Sequence, residues 1–323
     1  MPSRLRVFAP ATVANLGPGF DVLGLALERP GDLVEAELTD GPGVEIAGVT
    51  GDGGRLSTDP DRNVVGRAAG EVLRRAGSAR TAGRGIRLWL HKQMPLASGL
   101  GSSGASSVAG AVVANELLGR PFSRAGLLES AMEGERTASG AAHADNVAPS
   151  LLGGIVLIRS YAPLEIVSLP VPARLWIAVA HPHVELATAT ARQVVQAHQY
   201  GIAEAVANLG NLGALVAALH SGDMGLLGRS VEDALVEPLR APLIPGFADV
   251  KAAARAAGAL GCSIAGAGPS VFAIGEDEAS ARRSGGAMCE AFRTAARVEC
   301  DLFVSRVSSA GARLVDRRPP TET

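Results

Sequence analysis

The chain has 323 residues, long for one hydrophobic core and comfortable for two. With 30 basic and 32 acidic residues its net charge is -2, which leaves no electrostatic footprint for nucleic acid or an anionic membrane and makes a small soluble molecule the expected partner. Three cysteines, Cys262, Cys289 and Cys300, have neither metal-ligand spacing nor the even count of a disulfide framework, so they read as core or incidental thiols of a reducing compartment.

The N-terminal "MPSRLRVFAPATVANLGPG" carries two arginines, but Pro10 and Asn15 interrupt any apolar stretch, so no signal peptide is expected and the location is read as cytoplasmic. Alternating or apolar runs predict strands at Leu5 to Val13, Leu33 to Leu38, Val44 to Val49, Ile86 to Leu90 and Gly154 to Ile158. Between them lie three helical patterns. Asn63 can N-cap a helix with the stripe Val64, Val65, Ala68, Ala69, Val72 and Leu73, stopped near Gly77; Ser102 to Leu118 and Ser123 to Thr137 are the others. This half is α+β.

After "YAPLEIVSLPVPA", read as a proline-bearing connection, a second domain begins with a strand at Arg174 to Ala180 and a helical stretch from Thr188 to Ala234. A helix at Phe247 to Ala257, a strand at Ser270 to Gly275, a helix at Glu276 to Ala296 and a strand at Val298 to Val307 suit a small α/β sandwich. The expected division is residues 1–163 and 164–323. One run without charges, Ala256 to Gly275, holds five glycines and Pro269, which predicts a bent, buried strand and turn rather than a membrane span.

The stretch "PLASGLGSSGASS", Pro95 to Ser107, satisfies the dinucleotide pattern GxGxxG, nearly satisfies the P-loop pattern, and nearly spells a nucleophile elbow. None survives its context. No second strand ending in an acidic residue follows, since position 124 is an arginine, and Gly119 and Pro121 end one helical pattern while Ser123 starts another; Ala105 stands where a P-loop needs lysine; and the elbow lacks its last glycine. What remains is a glycine-rich turn with two hydroxyls, Ser102 and Ser103, opening a helix of small residues with the stripe Ala105, Val108, Ala109 and Val112. Such a helix N-terminus can bind phosphate, and an ordinary tight turn with an N-cap is the alternative.

On the next helix the apolar stripe runs Leu128, Ala131, Met132, and the following position on that face is Glu135, whereas Glu129 and Glu133 fall on the other side. An inward carboxylate needs a cation, a donor or a proton, so Glu135 is a candidate Mg²⁺ ligand beside substrate phosphates and a loop serine; a frayed helix end is the alternative. Further on, "SGAAHADNVAPSLLGG" packs His143, Asp145 and Asn146 beside an apolar run, an unusual density of polar groups for a plain loop.

Taken in order, "PATVANLGPGFDVLGLAL", "PLASGLGSSGASS" and "GCSIAGAGPSVFAI" resemble the three motifs of the GHMP kinases, and "ANLGPGFD", "GERTASGAAHADNVAPSLLGG", "TATAR" and "VEPLRAPLIPGF" resemble its homoserine kinase branch. The resemblance implies a two-domain GHMP kinase fold, with an N-terminal ATP-binding domain like the second domain of ribosomal protein S5, containing a left-handed βαβ unit, and a ferredoxin-like C-terminal domain. It implies transfer of phosphate from ATP to the side-chain hydroxyl of L-homoserine, with Mg²⁺, by a homodimer that works in threonine synthesis. Pro95, Leu96, Ala97, Ser98, Gly99, Leu100, Gly101, Ser102, Ser103, Gly104 and Ala105 would wrap the triphosphate, with Asn63 near the adenine and Ser102 or Ser103 joining Glu135 on the metal. Asn15, Asp21, His143, Asp145, Thr188, Arg192 and Arg240 would surround the amino acid, the arginines on its carboxylate and Asp21 or Asp145 on its ammonium. Asn146 and Arg192 are the candidates for orienting the hydroxyl and stabilising the transferring phosphoryl group, with no dedicated strong base. One departure is Gly104, where the family usually has alanine.

Overall fold

A computed structural model describes residues 4–139 and 143–318. Its larger sheet is built from β1 (Arg4–Ala14), β2 (Leu23–Thr39), β3 (Val44–Thr50), β4 (Gly85–His91), β5 (Ile155–Tyr161), β6 (Leu164–Leu169) and β11 (Arg313–Arg318), in the order β11-β1-β2-β4-β3 with β5 and β6 continuing from β2. The long β2 makes this possible: its second half pairs β4 through Leu33–Thr39, and its first half pairs β5 through Leu23–Leu25. The parallel pair β3 and β4 is joined through α1 (Val64–Ala76) and the short α2 (Ser78–Thr81). Asn63 caps α1 as expected, its Oδ1 accepting from Val65 N–H at 3.1 Å, and Gly77 ends the helix at φ 76°.

Helices α3 (Ser102–Leu117), α4 (Leu128–Ser139) and α5 (Ala144–Leu152) share the layer with α1. The small residues of α3 let it pack against β1, β2, α1 and α4 together, so it is buried nearly all round. The helix expected from Ser123 opens instead with a 3₁₀ turn at Ala125–Leu127. His143, Asp145 and Asn146 were expected on a loop, but His143 is the N-cap of α5 and the other two lie in its first turn; Gly140, Ala141 and Ala142 of that motif lie outside the described residues.

The second sheet is antiparallel, in the order β10 (Cys300–Arg306), β7 (Trp176–Pro182), β9 (Val271–Gly275) and β8 (Gly261–Ile264). Helix α11 (Glu278–Ala291), extended by Phe292–Ala296, packs on β7, β9 and β10, and α10 (Phe247–Ala256) packs on α11 and β8, around a core that includes Phe292, Met288 and Val271. The uncharged run expected to be a buried strand and turn supplies the end of α10, β8, a turn and β9. Between β7 and α10 come α6 (Thr188–Gln196), α7 (Ile202–Ser221), α8 (Met224–Arg229) and α9 (Glu237–Arg240). By length and composition alone α7 could cross a membrane, but it carries a buried face that includes Leu215, Ala218 and Leu219 and packs on α8.

One reading needs correction. The segment taken as a connection, "YAPLEIVSLPVPA", forms the β5–β6 hairpin, so the chain leaves the larger sheet only after Leu169, and β11 returns to it at the end. The hairpin turn lies between residues 161 and 164, where proline is tolerated because no ladder hydrogen bond is required. The three cysteines are free thiols, Cys262 and Cys289 buried, and Cys289 and Cys300 face each other, Sγ to Sγ 2.6 Å, across the turn from α11 to β10.

Candidate active site

A cavity of about 370 Å³ is lined by the loop and helices beside the larger sheet on one side and by α6, α9 and the turn after β8 on the other. One end is the N-terminus of α3. No side chain caps it, so its first N–H groups are available to an anion, and Gly101 at φ 64° turns the chain into the helix. A Cβ on Gly101 would lie 2.0 Å from Thr12 Oγ1 and 2.6 Å from Asn146 Oδ1; one on Gly99 would lie 2.4 Å from the Ala265 carbonyl oxygen. The loop is therefore pressed between β1, α5 and the turn after β8. Backbone bonds hold it there, from Thr12 N–H to Leu100 O at 3.0 Å and from Ser270 N–H to Ser98 O at 3.3 Å.

Lys92, just past β4, supports this turn from below. Its buried Nζ donates to the Asp32 carboxylate, to Ser102 O at 3.0 Å and Ser106 Oγ at 2.9 Å, and to the Ser102 hydroxyl. Burial depresses the lysine pKa, and the charge of Asp32 opposes that effect. The sequence reading missed Lys92. A signal existed: of the 30 basic residues only Lys92 and Lys251 are lysines, and Lys92 directly follows a strand.

With Ser102 engaged by Lys92, the neighbouring hydroxyl meets the inward carboxylate: Ser103 Oγ donates to Glu135 Oε1 at 2.8 Å. Glu135 is buried as expected, and burial raises its pKa to about 7 against the opposing effects of Ser103 and Lys92. Leu96, Ala97, Ser98, Gly99, Gly101, Ser102, Ser103 and Asn63 line the cavity as expected. Among the predicted loop residues Pro95, Leu100, Gly104 and Ala105 do not: Leu100 and Ala105 are turned fully into the core, the Pro95 carbonyl accepts from Ser98 Oγ at 2.9 Å, and the open side of Gly104 faces Asn146 Cβ.

At the other end the cavity is lined by Asn15, Asp21, His143, Asp145, Asn146, Thr188, Arg192 and Arg240, all expected from the sequence, together with Phe20, which was not. Thr188 and Arg192 share one face of α6 through their four-residue spacing. Arg192 holds Asp21 through both guanidinium nitrogens, NH1 to Oδ2 at 3.0 Å and NH2 to Oδ1 at 2.9 Å. Arg240 is buried and donates to Ala191 O at 3.1 Å and Gly266 O at 2.9 Å. Phe20 lies within cation–π range of both arginines, its ring centre 5.4 Å from the Arg192 guanidinium carbon and 5.1 Å from that of Arg240. Tyr161 OH donates to Asp21 O at 2.7 Å and accepts from Ala144 N–H at 3.3 Å, tying the turn of Asp21 to the start of α5.

Asp145 Oδ1 and His143 Nε2 are buried without a hydrogen-bond partner among the described residues. Burial foremost, and then the charge of Asp21, raises the Asp145 pKa to about 7, while burial lowers that of His143. Thr12 Oγ1 donates to Asn146 Oδ1 at 2.6 Å, so the Asn146 amide N–H₂ is the group left for a ligand. The cavity thus joins an anion cradle with a carboxylate to a pocket of paired opposite charges.

Family models identify residues 63–154 as a GHMP kinase N-terminal domain and residues 215–294 as a GHMP kinase C-terminal domain. A homoserine kinase from Chlorobium phaeovibrioides is 46% identical over 319 residues, 96% of this chain and 99% of that protein. The crystal structure of a homoserine kinase from Cytophaga hutchinsonii superposes with a TM-score of 0.91 at 50% identity, covering 97% of each chain. The chain belongs to the homoserine kinase family of the GHMP kinases. An L. major mevalonate kinase, at 17% identity and a TM-score of 0.71 over 94% of this chain and 96% of that one, shares the fold. Membership in the GHMP kinases makes the chain an enzyme that uses ATP, and the α+β fold expected from the motifs is the one observed.

Two outcomes follow from the geometry. A methyl group at position 104 would meet Asn146 Cβ at 3.3 Å and Glu135 Oε2 at 3.6 Å, a fit that needs shifts of a few tenths of an ångström. Gly104→Ala should therefore fold, keep its activity and gain up to about 1 kcal/mol in urea unfolding, whereas Gly101→Ala should lose ATP binding; equal behaviour of the two would contradict the packing described. For Asp145 the folded pKa of about 7 lies above the ordinary 3.8, so the folded state holds the extra proton between these values and stability falls as pH rises through that window. In thermal melts of ligand-free protein, Asp145→Asn should raise Tm by several degrees at pH 8 and by clearly less at pH 4.5; the same gain at both would contradict it.

Proposed function

We propose that the enzyme transfers the γ-phosphoryl group of ATP to the side-chain hydroxyl of L-homoserine, giving O-phospho-L-homoserine, a step toward threonine. One observation carries this reading: the cavity has an α3 N-terminus at one end and, at the other, two arginines facing two aspartates, the charge pattern of an α-amino acid head. Arg192 and Arg240 take the carboxylate and Asp21 and Asp145 the ammonium. The ion pair of Asp21 with Arg192 has the same polarity as the zwitterion, so incoming charges replace ones already in position. Mevalonate and galactose carry no such head.

The cavity-facing part of the loop, Leu96, Ala97, Ser98, Gly99, Gly101, Ser102 and Ser103, wraps the triphosphate, and Asn63 lies near the adenine. Mg²⁺ fits the same end. Among the described residues no three His, Cys, Asp or Glu side chains gather into a metal site, and Ser103 with Glu135 offers two oxygen donors, the sparse set that Mg²⁺ takes when phosphates and water complete its shell. Bound there, the ion would neutralise phosphate charge.

Asn146 donates its amide N–H to the substrate hydroxyl and orients it, while Arg192 is also the candidate for stabilising the transferring group. The hydroxyl oxygen bonds to the γ-phosphorus as the bond to the β,γ-bridging oxygen breaks, leaving ADP, and the hydroxyl proton passes to an oxygen of the transferred phosphoryl group and from there to solvent. No dedicated base is assigned, because a loose transition state places little demand on early proton removal and alignment carries the catalysis. The apolar stripe Ile202, Val206 and Leu209, exposed along α7, supports a homodimer. A division into two domains and a cytoplasmic location belong to the same reading, with the boundary moved from residues 163 and 164 to just after Leu169, where the chain leaves the larger sheet.

Purified protein with MgATP should release ADP with L-homoserine and not with L-threonine, mevalonate or galactose. Loss of homoserine dependence sinks the substrate assignment. Glu135→Ala should lower turnover by about 100-fold or more while remaining folded by circular dichroism, since it removes charge stabilisation at the transferring phosphate; wild-type turnover in that variant would remove Glu135 from the metal site.

A further inference from the structure

Helix α7 is mostly apolar, yet one of its few buried residues is polar. Asn208 is 6% exposed, and both ends of its amide are committed over long sequence distances. Nδ2 donates to Pro18 O at 2.9 Å, and Oδ1 accepts from Ala234 N–H at 3.1 Å. A buried amide left unpaired costs its full desolvation, so these bonds fix both partners rather than decorate the helix.

The two partners belong to segments that carry substrate-facing charges. Pro18 lies in the turn in which Gly19 N–H reaches Asn15 O at 3.0 Å and Leu23 N–H reaches Gly19 O at 2.9 Å, and this turn presents Phe20 and Asp21. Ala234 follows Asp233, whose carboxylate accepts from the N–H groups of Leu235, Val236 and Glu237 and so launches α9, which carries Arg240. The segments meet where the Arg240 guanidinium lies 5.1 Å from the Phe20 ring.

We propose that Asn208 is a positioning residue for the amino-acid substrate. Resting on the homoserine reading above, it sets the spacing between the Phe20–Asp21 turn and the Arg240 segment, and so governs the affinity for homoserine while leaving the ATP end untouched. A purely structural clamp would act on stability alone, and the molecule contains a matched example. Asn115, 5% exposed, bonds both Phe122 O and Phe122 N–H at 3.0 Å and binds no residue of the cavity.

The experiment compares wild type, Asn208→Ala, Asn208→Ser and Asn115→Ala by KM for L-homoserine, KM for ATP, kcat and Tm. Asn208→Ala should raise the homoserine KM by about tenfold or more, the effect of losing one net hydrogen bond to pocket geometry, with the ATP KM within about twofold. Asn208→Ser keeps a hydroxyl able to make one of the two bonds and should show a smaller rise; it decides the matter if the alanine variant does not fold. Asn115→Ala should lower Tm with both KM values unchanged. Asn208 variants that lower Tm with the homoserine KM unmoved, or that raise both KM values together, overturn the proposal. A wild-type enzyme without homoserine-dependent turnover overturns the functional reading and the proposal with it, whereas with an active wild type the same changes in KM bear on Asn208 alone.

Discussion

The charge of Lys92 lies buried under the first turn of α3, and the phosphate end of the cavity is arranged around it. Its ammonium group joins Asp32 of β2 to Ser102 and Ser106 of α3, so strand, helix and loop are fixed at one point. Removing one partner of such a pair typically costs about 3–5 kcal/mol, because the other charge is left buried and uncompensated. A P-loop keeps its lysine inside the glycine stretch. Here the lysine comes from the strand before the loop and holds Ser102 from beneath, which leaves Ser103 to meet Glu135.

A second constraint is the balance of charge at the substrate end. Asp21 and Arg192 neutralise each other, the Phe20 ring lies near both Arg192 and Arg240, and Asp145 remains buried without a hydrogen-bond partner on Oδ1 among the described residues. Burial sets a high pKa for Asp145 and leaves it responsive to a cation. The pocket is thus polarised before any ligand arrives, and the segments that polarise it come from sequence positions more than 200 residues apart. Their relative placement depends on backbone-directed bonds, from Asn15 and Arg240 to the Gly266 carbonyl and from Asn208 to Pro18 and Ala234.

Much of the site was legible where a periodic pattern carried the information. Glu135 stands seven residues after Leu128 on one helix face, and Thr188 and Arg192 stand four apart on another; both spacings survive folding because a regular helix converts them directly into direction. No periodic pattern marked Phe20 or Thr12, and Lys92 stood out only as one of two lysines, since a single residue at a strand end or in a turn acquires its neighbours only when distant segments meet. Helix α5 was hidden by its polar start and by Pro149 inside it, features that read as loop until packing on β1 and β2 is included. The strands β6 and β11 are short and interrupted by polar residues, and β11 finds its partner β1 only at the opposite end of the chain.

Phosphorus NMR of the products tests the central claim, that the cavity aligns a homoserine hydroxyl with the terminal phosphate of ATP. With MgATP and L-homoserine the account predicts one new phosphate monoester whose phosphorus couples to the side-chain methylene protons of the amino acid, formed in step with ADP. Inorganic phosphate as the only new signal, or a phosphoryl group on the carboxylate, would contradict it.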